Sequence, residues 1–367
     1  MKIMHLLPSL SSGGVEQVVL EICRGVHERG HECVVVSGGG TMVPAVEQTG
    51  ARHITRPIGR KRLSTLWQVI EMVRLLREER PDILHIHSRV PAWVGYLAYK
   101  RLSPAERPRL LTTFHGFYSV SAYSAIMTKG ERIIAVSRSM REHILAHYPG
   151  TQEDRIVVIP NSVDTVQNYP GFSPAESWQR DWQQQFPELE GKFTLCLPGR
   201  ITRIKGCTHL VPILTGLHRL GMPAHAVIVG ETKRGKEKLR RELEKTFAEA
   251  GLTPHITWTG HRRDLREVLS ACDVTLSLTL KPESFGKTVL EALALGRPVA
   301  GYEHGGVGEQ LEQFLPEGMI PVGDTEAMVQ RLAQWYRNPP PAVKPVGFPY
   351  RRQDMIDAHL ALYQSLI

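Results

Sequence analysis

Strand-like apolar runs alternate with helical patterns along most of the chain, and this alternation is the feature that most constrains the fold. In the first half the apolar runs are KIMHLL, ECVVV, DILHIH, RLLTTF, RIIAV and RIVVIP, with amphipathic segments such as VEQVVLEICRGVHERG between them. Parallel strands need long crossover connections, which are usually helices. The pattern therefore predicts a parallel βαβ series and an α/β fold class.

The alternation stops in residues 169–192, which are rich in Pro, Gln and Trp, and resumes with FTLCLPG, HAVIVG, HITWTG and DVTLSL. At roughly 100 to 200 residues per domain, a chain of 367 residues fits two domains. We expect two Rossmann-like, doubly wound domains facing a cleft, with residues 1–168 in the first and 169–349 in the second. The helical pattern at 350–367 leaves open whether the last helix packs back on the first domain.

Composition excludes several other classes of protein. With 42% hydrophobic and 22% charged residues, the chain is neither disordered nor fibrous. The opening KIMHLLPSL is too short and too broken by His5 and Pro8 for a membrane span or signal peptide, so it predicts a strand. The five cysteines form no C-x-x-C pair, which argues against a disulfide framework or zinc site. A cytoplasmic location is expected.

The net charge of +8 is concentrated in the first half. Residues 1–164 carry 21 Lys and Arg against 15 Asp and Glu, and the remainder carries 24 against 22. The basic residues of segment 52–62 are Arg52, Arg56, Arg60, Lys61 and Arg62. They suit contact with anionic lipid at the inner face of the cytoplasmic membrane, and an ordinary solvated basic face is an equally open alternative. In segment 233–245 glutamates interleave with the lysines, which predicts i, i+4 ion pairs on a helix and no nucleic-acid partner.

Ligands of open α/β sheets bind beyond the carboxyl ends of the strands, so the loops there are the places to examine. Gly13 and Gly14 follow the first strand and directly precede a predicted helix. Glycines there let backbone amides approach an anion or substrate, although a tight turn alone could also require them. The absence of G-x-G-x-x-G from the sequence argues against a dehydrogenase.

His115 follows the run RLLTTF at a strand end and is the best single polar candidate for catalysis, with a purely structural histidine as the alternative. His85 and His87 lie on one strand face, and His143 and His147 are four residues apart on a predicted helix. Neither pair has a visible third ligand, so we predict no metal site.

The second half opens with LCLPGRITRIKG, which places Arg200 beyond a strand and Lys205 five positions later. Two fixed cations at this place suit a diphosphate, whether bound or leaving, and an ordinary basic turn is the alternative.

Segment 282–291 is the most informative. Gly286, Lys287 and Thr288 imitate the end of a Walker A loop, but Lys281 stands where that loop requires glycine, which disfavours a P-loop NTPase. What remains is a glycine turn that begins a helix, with Glu283 before it and Glu291 about one turn inside. Carboxylates accept hydrogen bonds from sugar hydroxyls, and the helix N-terminus suits a diphosphate. The apolar surroundings of Glu291 weaken the alternative that it is merely a solvated surface residue.

Taken together, these segments resemble the retaining GT-B glycosyltransferases of family 4, also called group 1. The matching motifs are GGVEQ, FHG, VIPNSVD, GR-x4-K and the E-x7-E from Glu283 to Glu291, and they follow the family's order over residues 1 to about 310. Two positions depart from the family pattern. Ser162 replaces a glycine that is usual in VIPNSVD, and GGVGEQ lacks a proline that is common before its glutamate.

The resemblance implies a nucleotide-sugar donor held mainly by the second domain. Arg200 and Lys205 would contact its phosphates, Glu291 its ribose, and backbone near Arg262 its base. Four consecutive residues, Phe285, Gly286, Lys287 and Thr288, would hold the sugar and phosphates together with Glu283. From the first domain, Gly13, Gly14 and His115 would face the sugar and the acceptor. The implied catalytic residues are His115, Arg200, Lys205 and Glu283.

The activity that the resemblance implies is metal-independent transfer, with retention, of a hexosyl or N-acetylhexosaminyl unit from a UDP-sugar. Segments such as HSRVPAW are similar to bacterial enzymes that build lipopolysaccharide core or other membrane-associated envelope glycans, which suggests the acceptor. No cofactor is expected. Two alternatives stay open, namely a nucleotide-sugar epimerase on the same fold and a non-catalytic sugar-nucleotide-binding scaffold protein.

Overall fold

The computed structural model describes residues 1–11, 13–59, 67–232, 235, 237–341 and 348–367. These form two compact units, one of Met1–Ser162 with Pro349–Ile367 and the other of Val163–Phe348. The chain thus changes unit after Ser162, six residues before the expected boundary at 168. One reason is that Arg266, in the second unit, donates a hydrogen bond to the carbonyl of Gln167 at 3.4 Å.

A parallel sheet forms the centre of the first unit, in the order β3-β2-β1-β4-β5-β6-β7. This order places a topological switch point between β1 and β4, where Rossmann-like sheets bind ligands. The strands are β1 (Lys2–Leu6), β2 (Glu32–Ser37), β3 (Arg52–Thr55), β4 (Ile83–Ile86), β5 (Arg109–Phe114), β6 (Arg132–Ala135) and β7 (Ile156–Val158).

Helices cover both faces of this sheet because alternate strand residues point to opposite sides. Met4 and Leu6 belong to one buried cluster, whereas Ile3 and Leu7 belong to the other. The second cluster includes Tyr363 of the last helix, so the chain end packs within the first unit. The helices are α1 (Gly14–Glu28), α2 (Val43–Glu47), α3 (Trp67–Glu79), α4 (Arg89–Tyr99), α5 (Arg138–His147) and α13 (Arg352–Gln364).

The second unit repeats the plan with a parallel sheet in the order β10-β9-β8-β11-β12-β13, whose switch point lies between β8 and β11. Its strands are β8 (Phe193–Pro198), β9 (Ala224–Val229), β10 (Ile256–Gly260), β11 (Val274–Ser277), β12 (Val299–Tyr302) and β13 (Met319–Ile320). Its helices are α6 (Glu176–Gln185), α7 (Leu210–Arg219), α8 (Glu237–Glu249), α9 (Leu265–Ala271), α10 (Lys287–Ala294), α11 (Gly305–Phe314) and α12 (Thr325–Arg337). The predicted α/β class with two Rossmann-like domains is confirmed.

Four elements fall outside the sequence patterns. Strand β3 lies at a sheet edge and offers a single apolar residue, β13 has two residues, and β12 has four residues and begins only five positions after the apolar helix α10 ends. Helix α6 lies in the segment that lacked periodicity, where Trp178 and Trp182 stack with ring centroids 5.1 Å apart. Short or edge elements bury too little surface to leave a clear periodic pattern.

The charged segments behave differently in the two units. On α8 the predicted i, i+4 pairs are present, for example Arg240 with Glu244 at 2.7 Å. In the basic segment 52–62, Arg52 pairs with Glu79, and Arg56 donates to the carbonyl of Thr55 at 3.0 Å. The other three basic residues of that segment, Arg60, Lys61 and Arg62, lie outside the described residues.

Candidate active site

The end of β8 leads into a turn bounded by glycines, and this turn carries two predicted phosphate ligands. Gly199 follows the strand with φ of +128°, and Gly206 closes the turn with φ of +67°. A Cβ atom at Gly206 would lie 2.0 Å from the carbonyl oxygen of Leu278, so only glycine lets the turn rest against the end of β11. Arg200 is exposed, whereas Lys205 is partly buried.

The ammonium group of Lys205 is ion-paired with the carboxylate of Glu283. The two side chains retain 29% and 22% exposure. Their loops are joined by a backbone hydrogen bond from Leu280 to the carbonyl of Ile204 at 2.7 Å. The second unit thus brings together a cation predicted to bind phosphate and a carboxylate predicted to bind sugar.

Helix α10 begins at Lys287, directly after Gly286, whose φ of +87° lies in the left-handed region. The first amides of a helix have no partner within it and carry partial positive charge, which favours an anion there. Phe285 is buried, whereas Lys287 and Thr288 are partly exposed. Glu291 lies in the second turn and is also partly buried. The predicted loop therefore combines an ordered helix start with accessible side chains.

Residues of α11, which begins with glycines, donate hydrogen bonds to the loop that precedes α10. The amide of Gly306 donates to the carbonyl of Glu283 at 2.8 Å, and the side-chain amide of Gln310 donates to the carbonyl of Phe285 at 2.7 Å. A Cβ atom at Gly306 would lie 2.5 Å from the Cα atom of Phe285. Sequence analysis assigned no role to Gln310, although its position in GGVGEQ was a signal.

The guanidinium group of Arg262 contacts other side chains of the second unit. It bonds to Asp264, with 2.8 Å from Nε to Oδ1, and lies 5.4 Å from the ring centroid of Trp182. The role implied for this region was a backbone contact to the base, and that role stays a prediction.

In the first unit, Gly13 and Gly14 form the start of α1. Gly13 is the N-cap in extended conformation, and its carbonyl accepts from the amide of Gln17 at 3.1 Å. Both glycines are exposed, and a Cβ atom at Gly14 would have no neighbour within 4 Å. The predicted turn therefore presents backbone at the switch point, and local packing does not account for the glycine at position 14.

His115 is one end of a line of three hydrogen-bonded imidazoles that we call the histidine row: His5, His87 and His115. The distance from His115 Nε2 to His87 Nδ1 is 3.0 Å, and from His87 Nε2 to His5 Nδ1 it is 2.9 Å. His5 and His87 are buried, whereas His115 is partly exposed. The row arises because parallel pairing sets β1, β4 and β5 side by side with their carboxyl ends at one edge.

A fourth histidine, His85, lies beside the row. His85 bonds through Nδ1 to the hydroxyl of Tyr363 at 2.8 Å and through Nε2 to the hydroxyl of Thr113 at 2.7 Å. His359 of α13 lies with its ring centroid 6.0 Å from that of His85. The last helix thus supplies side chains to the interior beneath the switch point, which sequence analysis did not predict.

Burial controls the charge of these groups. It lowers the pKa of His5 and of His115 to about 3, with a further contribution from His359. It also lowers the pKa of His87 and His85 well below the usual value, and that of His359 to about 4. The imidazoles are therefore neutral at pH 7, and each can donate one hydrogen bond and accept another.

Two groups of side chains lie close enough to hold a metal ion, judged over the described residues. They are His5 with His85 and His87, and His5 with Cys23 and Cys33. A metal would compete with existing bonds, because both ring nitrogens of His85 already have partners at 2.7 and 2.8 Å. His143 and His147 lie on α5 as predicted, with ring centroids 4.4 Å apart. The expectation of no metal site stays a prediction.

Two family models match the chain, one in each half. A model described as Glycosyltransferase Family 4 matches residues 12–167, and one described as Glycosyl transferases group 1 matches residues 179–347. The chain belongs to the family 4, group 1 glycosyltransferases and is a glycosyltransferase with the GT-B fold.

The individual relatives and structures are distant in sequence but match most or all of the chain. The 2-deoxystreptamine glucosyltransferase of Streptomyces kanamyceticus is 24% identical over 365 residues, covering 89% of this chain and 90% of that protein. The crystal structure of an Anabaena protein in complex with UDP-glucose is 19% identical with a TM-score of 0.84, and both chains are fully covered. The apo lipopolysaccharide outer core galactosyltransferase is 16% identical with a TM-score of 0.74, again over both full chains.

No helix in the described part of the chain is both long and apolar enough to cross a membrane.

Proposed function

We propose that this glycosyltransferase moves a hexosyl or N-acetylhexosaminyl unit from a UDP-sugar, with retention at the anomeric carbon, to a hydroxyl of a lipopolysaccharide core or other membrane-associated envelope glycan. The observation that carries the proposal is the pairing of Lys205 with Glu283 in the loops at the switch point of the second sheet. A cation and a carboxylate in contact suit a ligand with a diphosphate joined to a sugar. The Anabaena structure with UDP-glucose supports the same donor class.

The donor's diphosphate would meet Arg200, Lys205 and the first amides of α10. Negative charge grows on the diphosphate as the glycosidic bond breaks, so fixed cations and amides would stabilise the transition state more than the ground state. This arrangement would supply the positive charge that a divalent ion provides in other transferases. The proposed reaction is accordingly metal-independent.

Carboxylates would hold the hydroxyl groups of the donor. Glu291, partly buried in α10, would accept from the ribose, and Glu283 would accept from the transferred sugar. The loop at Phe285 would place its backbone against the sugar and phosphates, and Gln310 would keep that loop in place.

Residues of the first unit would serve the acceptor. Gly13 and Gly14 would allow close approach of substrate to backbone, and His115 would contact the reacting sugar or hydroxyl. We assign no carboxylate as a nucleophile. We therefore propose attack on the same face from which the diphosphate leaves, in which a phosphate oxygen of the donor takes the acceptor's proton.

The acceptor class rests on the likeness of HSRVPAW and neighbouring segments to envelope-glycan enzymes and on the fold shared with the outer core galactosyltransferase. A lipid-linked acceptor would place the enzyme at the inner face of the cytoplasmic membrane, with the basic segment 52–62 against anionic lipid. Liposome binding that disappears when Arg60, Lys61 and Arg62 are neutralised would support this location. Unchanged binding would exclude that segment.

Calorimetric titration with UDP, GDP and ADP, with EDTA present, tests the donor site. We expect UDP alone to bind, and Glu291→Gln to weaken it. Preference for GDP or ADP would contradict the assignment of a UDP-sugar as donor. A Glu291→Gln enzyme that is fully active would contradict the assignment of the donor site.

Donor turnover with and without an acceptor then separates the classes of function. A transferase needs the acceptor for full turnover, an epimerase converts its donor without one, and a scaffold protein binds without turnover. His115→Ala is expected to lower turnover and leave UDP affinity unchanged.

A further inference from the structure

The histidine row places two buried imidazoles behind the candidate catalytic residue. Each neutral imidazole has one N–H donor and one lone pair, so the two hydrogen bonds of the row must run in the same direction. In one direction His5 donates to His87, and His87 donates to His115, whose own proton then sits on Nδ1. In the other direction His115 donates from Nε2, and the last proton sits on Nε2 of His5.

The buried end of the row distinguishes the two directions. Nε2 of His5 is buried, and it has no hydrogen-bond partner among the described residues. A buried N–H group without an acceptor is rare in proteins, and it is rarer than a buried acceptor without a donor. The direction that leaves only a lone pair on this atom avoids an orphaned donor.

The neighbours of His5 are compatible with the same direction. A ring nitrogen of His5 lies within 4.8 Å of the sulfur atoms of Cys23 and Cys33. Burial raises the pKa of the Cys33 thiol, so that thiol keeps its proton. Protonated thiols are weak donors, and although the Cys23 and Cys33 sulfur atoms also lie 2.9 Å from each other, their environment accommodates a lone pair on the imidazole.

We propose that His5 and His87 donate in series and thereby hold His115 with its proton on Nδ1, which makes His87 a positioning residue and His115 a neutral hydrogen-bond donor instead of a general base. The inference about His115 in catalysis rests on the proposed function, whereas its tautomer does not. It also agrees with a reaction in which a phosphate oxygen of the donor, and no protein base, receives the acceptor's proton.

Long-range ¹⁵N–¹H correlation spectra of the full-length, histidine-labelled protein at pH 7 test the tautomer directly. His115 is assigned by the signals that His115→Asn removes. We expect a protonated Nδ1 and an unprotonated Nε2 on His115. The opposite tautomer, or an imidazolium, would overturn the proposal.

Two variants of nearly equal shape, one that keeps the donor behind His115 and one that replaces it with an acceptor, test this direction. The Nδ2 group of His87→Asn can donate to His115 as Nδ1 of His87 does, whereas the carboxylate of His87→Asp can only accept and draws a proton to Nε2. We expect His115 to keep its tautomer in the Asn variant and to gain an Nε2 proton in the Asp variant. The same spectrum for both variants would contradict the inference that the side chain at position 87 sets the tautomer of His115. Because a buried Asp can impair folding, His5→Leu provides a second test, in which His115 should become a mixture of tautomers.

Kinetics then separate this inference from the proposed function. We expect His87→Asp to lower kcat roughly ten- to hundredfold, the range known for metal-bound histidines that lose the hydrogen-bond partner of their other ring nitrogen, with UDP affinity unchanged and the Asn variant less affected. If the tautomer switches while kcat does not change in His87→Asp or His115→Ala, the inferred control of the His115 tautomer is supported and the proposed catalytic role of His115 is wrong. If kcat depends on His115 but the wild-type tautomer is the opposite one, the inferred direction of the hydrogen bonds is wrong and the proposed function is unaffected.

Discussion

The carboxylate of Glu283 neutralises the ammonium group of Lys205, although 78 positions separate them in the sequence. A bound diphosphate would compete for this ammonium group and leave Glu283 to the sugar. In the proposed function, the pair would thus keep both side chains in place before the donor binds.

Lys205→Ala is expected to weaken UDP binding. A hydrogen bond to a charged group contributes about 1.5 to 3 kcal/mol, which corresponds to roughly a ten- to hundredfold loss of affinity. Titration calorimetry measures it. Arg203→Ala is the matched control, because Arg203 lies in the same turn but is 77% exposed and pairs with Glu242. Equal losses in the two variants would mean that only the general charge of the turn matters.

Gly14→Ala should separate folding from activity. An added methyl group meets no atom within 4 Å, and alanine is favoured over glycine inside a helix by up to about 1 kcal/mol. We expect equal or higher thermal stability together with reduced transfer, because the methyl group would occupy space proposed for substrate. Full activity would remove Gly14 from the site.

Acid should destabilise the first unit through its buried histidines. Burial lowers the pKa of His5 and His115 to about 3 and that of His359 to about 4, below the ordinary value of 6.5. Because the folded-state values are depressed, their contribution is complete above about pH 6.5 and is lost as the pH falls towards 4. Each group should add roughly 1.4 kcal/mol per pH unit to the slope.

Urea unfolding at pH 7, 6 and 5 measures this slope. His359→Leu should reduce this slope by roughly 1.4 kcal/mol per pH unit, because one proton fewer is taken up on unfolding. A slope identical to that of the wild type would show that the protonation of His359 does not change on unfolding.

Ser162→Ala is expected to reduce the free energy of unfolding. The Ser162 hydroxyl is fully buried and donates to the buried carboxylate of Glu21 at 2.8 Å. Losing this donor should cost about 1 to 3 kcal/mol in chemical denaturation. The exposed Ser177 is the control, and its alanine variant should change stability by less than about 0.5 kcal/mol. This contact also gives a structural role to the serine that replaces the family's usual glycine.

Most strands and the class of fold could be predicted from the sequence, because buried parallel strands are continuous apolar runs. The places of Lys205 and Glu283 at strand ends could be predicted as well, since each follows such a run. Their contact could not, because it depends on β8 and β11 being neighbours although β9 and β10 intervene in the chain.

A two-domain α/β chain, the glycine turns at helix starts and the identity of the polar side chains beyond the strands all follow from the amino-acid sequence alone. The folded arrangement was needed to see that His5 and His87 lie behind His115, and that Tyr363 of the last helix bonds to His85. The physical reason is that periodicity records which face of an element is buried, which is a local property. Strand order and the docking of a distant helix result from the packing of the whole unit, and they bring together side chains from opposite ends of the chain.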